Sequence, residues 1–173
     1  MRHLLIYIIA ILLFSCALPK FSFKPAGKGN QKDIPASTIQ IDFFENNSAL
    51  ASSTVSATFT ENLRDLMQAQ TSLDLVSEKG EVVFSGNIKE YKISPVNIQA
   101  GTESAAQNRL TMVVVVNEYF PLNDSLPMNN HSFSAFVDYN SNDDFSSIEE
   151  SLIESLNKQL TQDIFDNSFG GEW

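Results

Sequence analysis

The 173-residue chain has one cysteine, Cys16, so no disulfide can form within it. Its fold must rest on burial rather than on covalent staples. Histidine is almost as scarce, with His3 and His131 alone. A zinc site wants several Cys or His ligands, so none is expected. A Ser-His-Asp arrangement would hang on His131, and no Gly-x-Ser-x-Gly elbow surrounds any serine. No glycine-rich phosphate loop is present. The "NDD" stretch at 142–144 offers three oxygen-bearing side chains without the spacing of a calcium loop, and reads as a solvated turn. Nothing selects a carboxylate pair for glycoside chemistry. The expectation is a protein that is not an enzyme, with no cofactor and no metal.

Cations are also in deficit. Eleven Lys and Arg face twenty-one Asp and Glu, a net charge of −10. Nucleic-acid affinity comes from many cation–phosphate contacts, so nucleic acid is excluded as a partner. Long apolar runs are missing except for residues 4–14, eleven residues long. That is too short to span a bilayer, which takes about 20 residues. Behind the basic Arg2 and His3 it fits the core of a secretory signal.

The run ends in Leu13-Phe14-Ser15-Cys16, which resembles the lipobox of bacterial lipoproteins. In such proteins the cysteine is acylated and becomes the first residue of the mature chain. Phe14 is bulkier than the usual residue at its position. Acylation gives the unpaired Cys16 a use. Each buried methylene adds about 0.8 kcal/mol of membrane affinity, and more than one acyl chain makes a stable anchor. No aspartate follows Cys16, which resembles lipoproteins sent to the outer membrane, on its periplasmic side.

The chain divides into a signal (1–15), an acylated tether (16–36) and one domain (37–173). Pro19, Pro25, Gly27, Gly29 and Pro35 keep the tether irregular. After it, "TIQIDFF" (38–44) alternates Ile39, Ile41 and Phe43 as a half-buried strand. Residues 54–70 place Val55, Phe59, Leu63, Leu66 and Met67 at helical spacing, with Ser53 as N-cap. Strands follow at 73–77 and 81–93, with a bulge or bend at Gly86. Residues 109–119 read as a central strand covered on both faces, and 131–140 as another strand. A last helix spans 146–165, with Ser146 and Glu149 as a capping box. The order β-α-β-β-β-α predicts an α+β fold: a four-stranded, mostly antiparallel mixed sheet with two helices packed on one face.

Several stretches, taken in order, resemble one family. They are "FSF" (21–23), "IQIDFFEN" (39–46), "FTENLRDLMQAQTSLDLV" (59–76), "FSGNIKEYKISP" (84–95), "NRLTMVVVV" (108–116), "FVDY" (136–139) and "LNKQLTQDIFDN" (156–167). Together with the lipobox they resemble the lipopolysaccharide-assembly lipoprotein LptE, in the form found in Bacteroidota. Phe21 stands where a tyrosine is expected. The resemblance implies a non-catalytic plug inside a large outer-membrane β-barrel translocon (LptD-like) that also helps the barrel assemble. It also implies lipopolysaccharide as a partner.

An acidic protein can meet an anionic glycolipid only through a local cluster of cations. Lys92 ends one strand and Arg109 begins the next, so a hairpin brings both to one end beside loop 94–107. They are the candidate phosphate contacts. Phe44, Phe120, Phe136 and Trp173 fall off the inward register or outside the elements, and are candidate partner contacts. Residues 124–126, "DSL", resemble the O-glycan acceptor motif of Bacteroidota secreted proteins, which makes Ser125 a candidate. The competing readings are a free-standing periplasmic lipoprotein holding a small apolar ligand or lipid, and an anchored hydrolase built on His131.

Overall fold

The computed structural model describes residues 34–96, 106–120 and 128–170. The elements are β1 (Thr38–Ile41), β2 (Glu45–Asn46), α1 (Ser53–Gln70), β3 (Asp74–Val76), β4 (Val82–Val96), β5 (Gln107–Tyr119), β6 (His131–Asn140) and α2 (Phe145–Ser168). They form one mixed sheet in the order β3-β1-β4-β5-β6, with β2 continuing along β4 beyond the end of β1. The α+β class and the two helices agree with the sequence. The sheet is larger than the four strands expected: it has six. β2 and β3 are two and three residues long, too short to leave a clear alternation in the sequence. β1 runs parallel to β3 and β4, whereas β4, β5 and β6 are antiparallel. Helix α1 supplies the crossover that a parallel pair requires.

Both helices cover one face of this sheet. α1 buries Val55, Phe59, Leu63 and Met67, a single stripe at a spacing of four. α2 buries Leu152, Leu156, Leu160 and Ile164. Against them the sheet turns Ile39, Ile41, Phe84, Ile88, Leu110, Met112, Val114, Val116 and Phe133. β5 is interior, between β4 and β6, yet only its even-numbered row is buried. Val113 and Val115 lie half-buried on the other face, so the expectation of cover on both faces is corrected.

Three local expectations also change. Gly86 stays within the ladder opposite Val116; the bulge falls between Ile88 and Glu90. Glycine is required there by close approach: a Cβ would stand 2.0 Å from the Val115 carbonyl oxygen and 2.6 Å from the Phe44 ring. The N-cap of α1 is Ser52, one residue before the expected Ser53. The capping box on α2 does not form, because the N-cap is Asp144. Ser146 donates to the Asp144 carboxylate (2.8 Å), while Glu149 accepts from the Tyr91 hydroxyl (2.8 Å).

The sheet has two distinct ends. The chain enters at Thr38, level with the start of β4 and the end of β5; Phe169, just past α2, packs there on Phe84. The other end carries the end of β4, the start of β5, the end of β6 and the start of α2. A 15-residue strand such as β4 separates the two ends by roughly 45 Å.

Candidate functional site

The helix-free face of β4, β5 and β6 holds three of the residues the sequence singled out, Lys92, Arg109 and Phe136. In antiparallel strands, residues directly opposite share a face. Lys92, Thr111 and Phe136 form one such row, and Ser94, Arg109 and Asp138 the next, nearer the hairpin tip. Lys92 and Arg109 therefore lie on one face, one ladder step apart diagonally, as the hairpin argument required.

Neither cation is bare. Arg109 donates from Nε and Nη2 to the two oxygens of Asp138, at 2.7 and 2.8 Å. Its guanidinium carbon sits 3.7 Å from the centre of the Phe136 ring. The hydrogen bond from Arg109, reinforced by its charge, holds the Asp138 carboxyl below its ordinary range. Lys92 is paired with Glu90 on its own strand. Among the described residues each cation here is matched by a carboxylate, so a phosphate must displace a carboxylate to bind.

The middle of the same face is apolar and only half-covered. Val83, Val113 and Val115 are partly buried, while Tyr119 is 63% and Phe136 50% exposed. Ser132, Ser134 and Asn140 add small polar groups on the β6 side. Valines, an aromatic stack and hydroxyls, without a net charge, resemble the mixed composition of protein interfaces more than a reaction centre.

Two of the proposed partner contacts are corrected. Phe44 is fully buried, edge-on to Phe59 at 5.2 Å, and its N–H donates to Thr60 Oγ1 at 3.1 Å. The alternation of β1 predicted Phe43 inside and Phe44 outside, but the strand ends at Ile41 and the phase reverses. Phe43 is 52% exposed instead. Phe120 is also buried, in phase with Leu110, Met112, Val114 and Val116. Its even number in that row was the signal available in the sequence. Tyr119, which sequence reasoning passed over, carries the exposure. Cys16, Ser125 and Trp173 lie outside the described residues.

Elsewhere, a groove of about 610 Å³ opens between the first turns of α1 and α2. Thr54, Thr58 and Asn62 line it on one side, and Glu149, Glu150 and Glu154 on the other. Ile153 is the one hydrophobic residue in this lining, and no aromatic joins it, whereas sites for apolar ligands are mainly hydrophobic and aromatic. His131 stands exposed at the start of β6, its ring 4.7 Å from Phe133. Among the described residues no group of three or more His, Cys, Asp or Glu is placed to hold a metal ion.

The model of the LptE lipopolysaccharide-assembly family matches residues 36–168. The chain belongs to this family. Its fold recurs in solved structures at low identity. Uncharacterized lipoprotein B from Nitrosomonas europaea is 13% identical, with a TM-score of 0.52 over 76% of this chain and 81% of that one. The hypothetical protein CT253 from Chlamydia trachomatis is 12% identical, with 0.53 over 76% and 95%. A putative neuraminyllactose-binding hemagglutinin homolog from Helicobacter pylori is 11% identical, with 0.53 over 82% and 87%. At these identities the likeness shows the fold alone. No curated relative matches the chain. Membership of the LptE family carries a role in lipopolysaccharide assembly.

Proposed function

We propose that the chain is a non-catalytic outer-membrane lipoprotein that plugs a β-barrel lipopolysaccharide translocon, of LptD-like type, and helps it assemble. Acyl chains on Cys16 hold it to the periplasmic side of the membrane. The observation that carries this reading is the half-covered apolar face of β4, β5 and β6. Its stripe of Val83, Val113, Val115 and Phe136 stops short of full burial within the described residues. A barrel interior is itself lined by alternate strand residues, and a face of valines, hydroxyls and one aromatic stack suits it.

Lys92 and Arg109 lie at the end of the sheet remote from the chain's entry, and they are the place where lipopolysaccharide phosphates are met. Binding there exchanges Glu90 and Asp138 for phosphate oxygens, one charge-assisted contact replacing another. This limits the gain in affinity and lets the glycolipid pass on. Trp173 adds a partner contact, and Ser125 carries an O-glycan.

Mild-detergent extraction and purification of the full chain tests the reading. A large barrel is expected to travel with it, and changing Val115 to Lys should break that association while leaving the helix-covered core intact. A chain that purifies alone, still folded, with a lipid bound would favour a free-standing binding protein. Changing both Lys92 and Arg109 to Glu should weaken lipopolysaccharide binding; unaltered binding would retire the phosphate role. Cys16→Ala should move the protein out of the membrane fraction.

A further inference from the structure

Glu118 is a carboxylic acid on the wrong side of the sheet. It lies on the helix-covered face of β5, opposite Phe84 and one step beyond Val116 in the buried row. It is 8% exposed, and its Oε1 has no hydrogen-bond partner among the described residues. An ionised carboxylate in that position is deprived of water and short of donors, a costly state.

Its surroundings belong to the end of α2. Ser168, on the last turn, lies within reach of the Glu118 carboxyl, while its hydroxyl donates to the Ile164 carbonyl at 3.0 Å. Phe169 follows, edge-on to Phe84 with centroids 6.0 Å apart, and 5.9 Å from Phe165. The carboxyl thus lies beside Phe84, on which Phe169 packs, near the negative end of a helix. Among the described residues, the other titratable and charged groups nearby offer it no partner. β4 turns apolar Val82 and Phe84 to this layer. His131 on β6 shares its face, opposite Val116, and stands exposed against Phe133. Asp163 and Asp166 lie exposed on the last turns of α2. Arg64 on α1 is committed to Glu61 and to the Ile41 carbonyl. Burial pushes Glu118 up from 4.5 to about 7, against a weaker pull from the Ser168 hydrogen bond.

We propose that Glu118 is a proton-operated latch on the C-terminal turn of α2: protonated, it lets Ser168 and Phe169 close over Phe84; ionised, it draws in water and lifts that turn. The proton leaves to solvent and returns from it, so no other reactant is needed. The latch works at the end of the sheet where the chain enters, remote from Lys92 and Arg109, and it does not rest on the function proposed above.

Amide hydrogen exchange on the full chain in mild detergent, at pH 6 and pH 8 and corrected for intrinsic rates, tests it. If the open turn restores ordinary glutamate behaviour, opening at residues 165–170 rises about tenfold between the two pH values. Amides in the middle of β5 should not change. In Glu118→Gln the tenfold difference should vanish. A wild-type ratio near one, or an undiminished ratio in the variant, would overturn the latch. Should the variant fail to fold, a carboxyl carbon titration of the wild type decides: a midpoint near neutrality supports the latch, and one below about 5, the ordinary range of glutamate, overturns it.

Discussion

The two faces of the sheet are written on the same strands, residue by alternate residue, and they do opposite work. On the covered face, Leu110, Met112, Val114 and Val116 meet the helices and are fully buried. On the open face, Arg109, Thr111, Val113 and Val115 meet no helix and are half-buried. The covered face is closely packed and intolerant: even Gly86 is fixed by the ring of Phe44 above it. The open face is held by cross-strand pairs, an ion pair and a cation–ring stack, each of modest energy. Stability resides in one face, which leaves the other free to be shaped by a partner.

The sharpest way to break this contrast is to hollow the covered face. Phe44→Ala removes a fully buried ring that packs against Phe59 and Gly86, and should cost about 3–5 kcal/mol in denaturant unfolding. A loss below 1 kcal/mol would mean that the covered face is not the main store of stability.

Glu118 is the exception within that face, and its effect depends on pH. Its carboxyl titrates near 4.5 when unfolded and near 7 when folded, so the folded chain binds more protons between those values. Its contribution is full below about pH 4.5, is lost as pH rises towards 7, and stays lost above. The loss amounts to roughly 3 kcal/mol. Glu118→Gln should flatten that part of the stability–pH curve, as chemical denaturation at pH 5 and pH 8 would reveal.

A smaller effect is expected at Gly86. The added methyl of Gly86→Ala meets a backbone carbonyl, which cannot turn away, and an aromatic ring, which can. Overpacking of this kind costs about 1–3 kcal/mol, and thermal melting measures it. The smallest change belongs to the open face. Phe136→Ser removes a half-exposed ring and should shift stability by about 0.5 kcal/mol or less, yet reduce co-purification of a barrel partner. A large stability loss there would erase the distinction between the faces; an unaltered association would remove Phe136 from the interface.

Legibility in the sequence follows the same division. Long elements with a strong pattern could be read: β5 by its β-branched run, β6 by alternation, α1 and α2 by their spacing of four. Phe120 was readable too, from its parity with Leu110 through Val116. Phe44 was not, because β1 stops at Ile41 and a break in a strand resets which side faces inward. The capping box failed for a related reason: Glu149 has a better partner in Tyr91, 58 residues away. The cation pair was half-readable. Hairpin geometry brought Lys92 and Arg109 together, but their acidic partners depend on the register with β6 and on the side-chain rows of the folded strands.

The sequence by itself determined the periods, the order of the elements, the acidity of the chain and the unpaired Cys16, because each is a local or additive property of the residues. The tertiary structure alone decided which face of the sheet the helices cover, that Phe44 is core, that Arg109 belongs to Asp138 and that Glu118 lies beneath the end of α2. Those outcomes depend on register between strands distant in the chain. A shift of one residue exchanges the two faces, and no local pattern records where that phase is finally set.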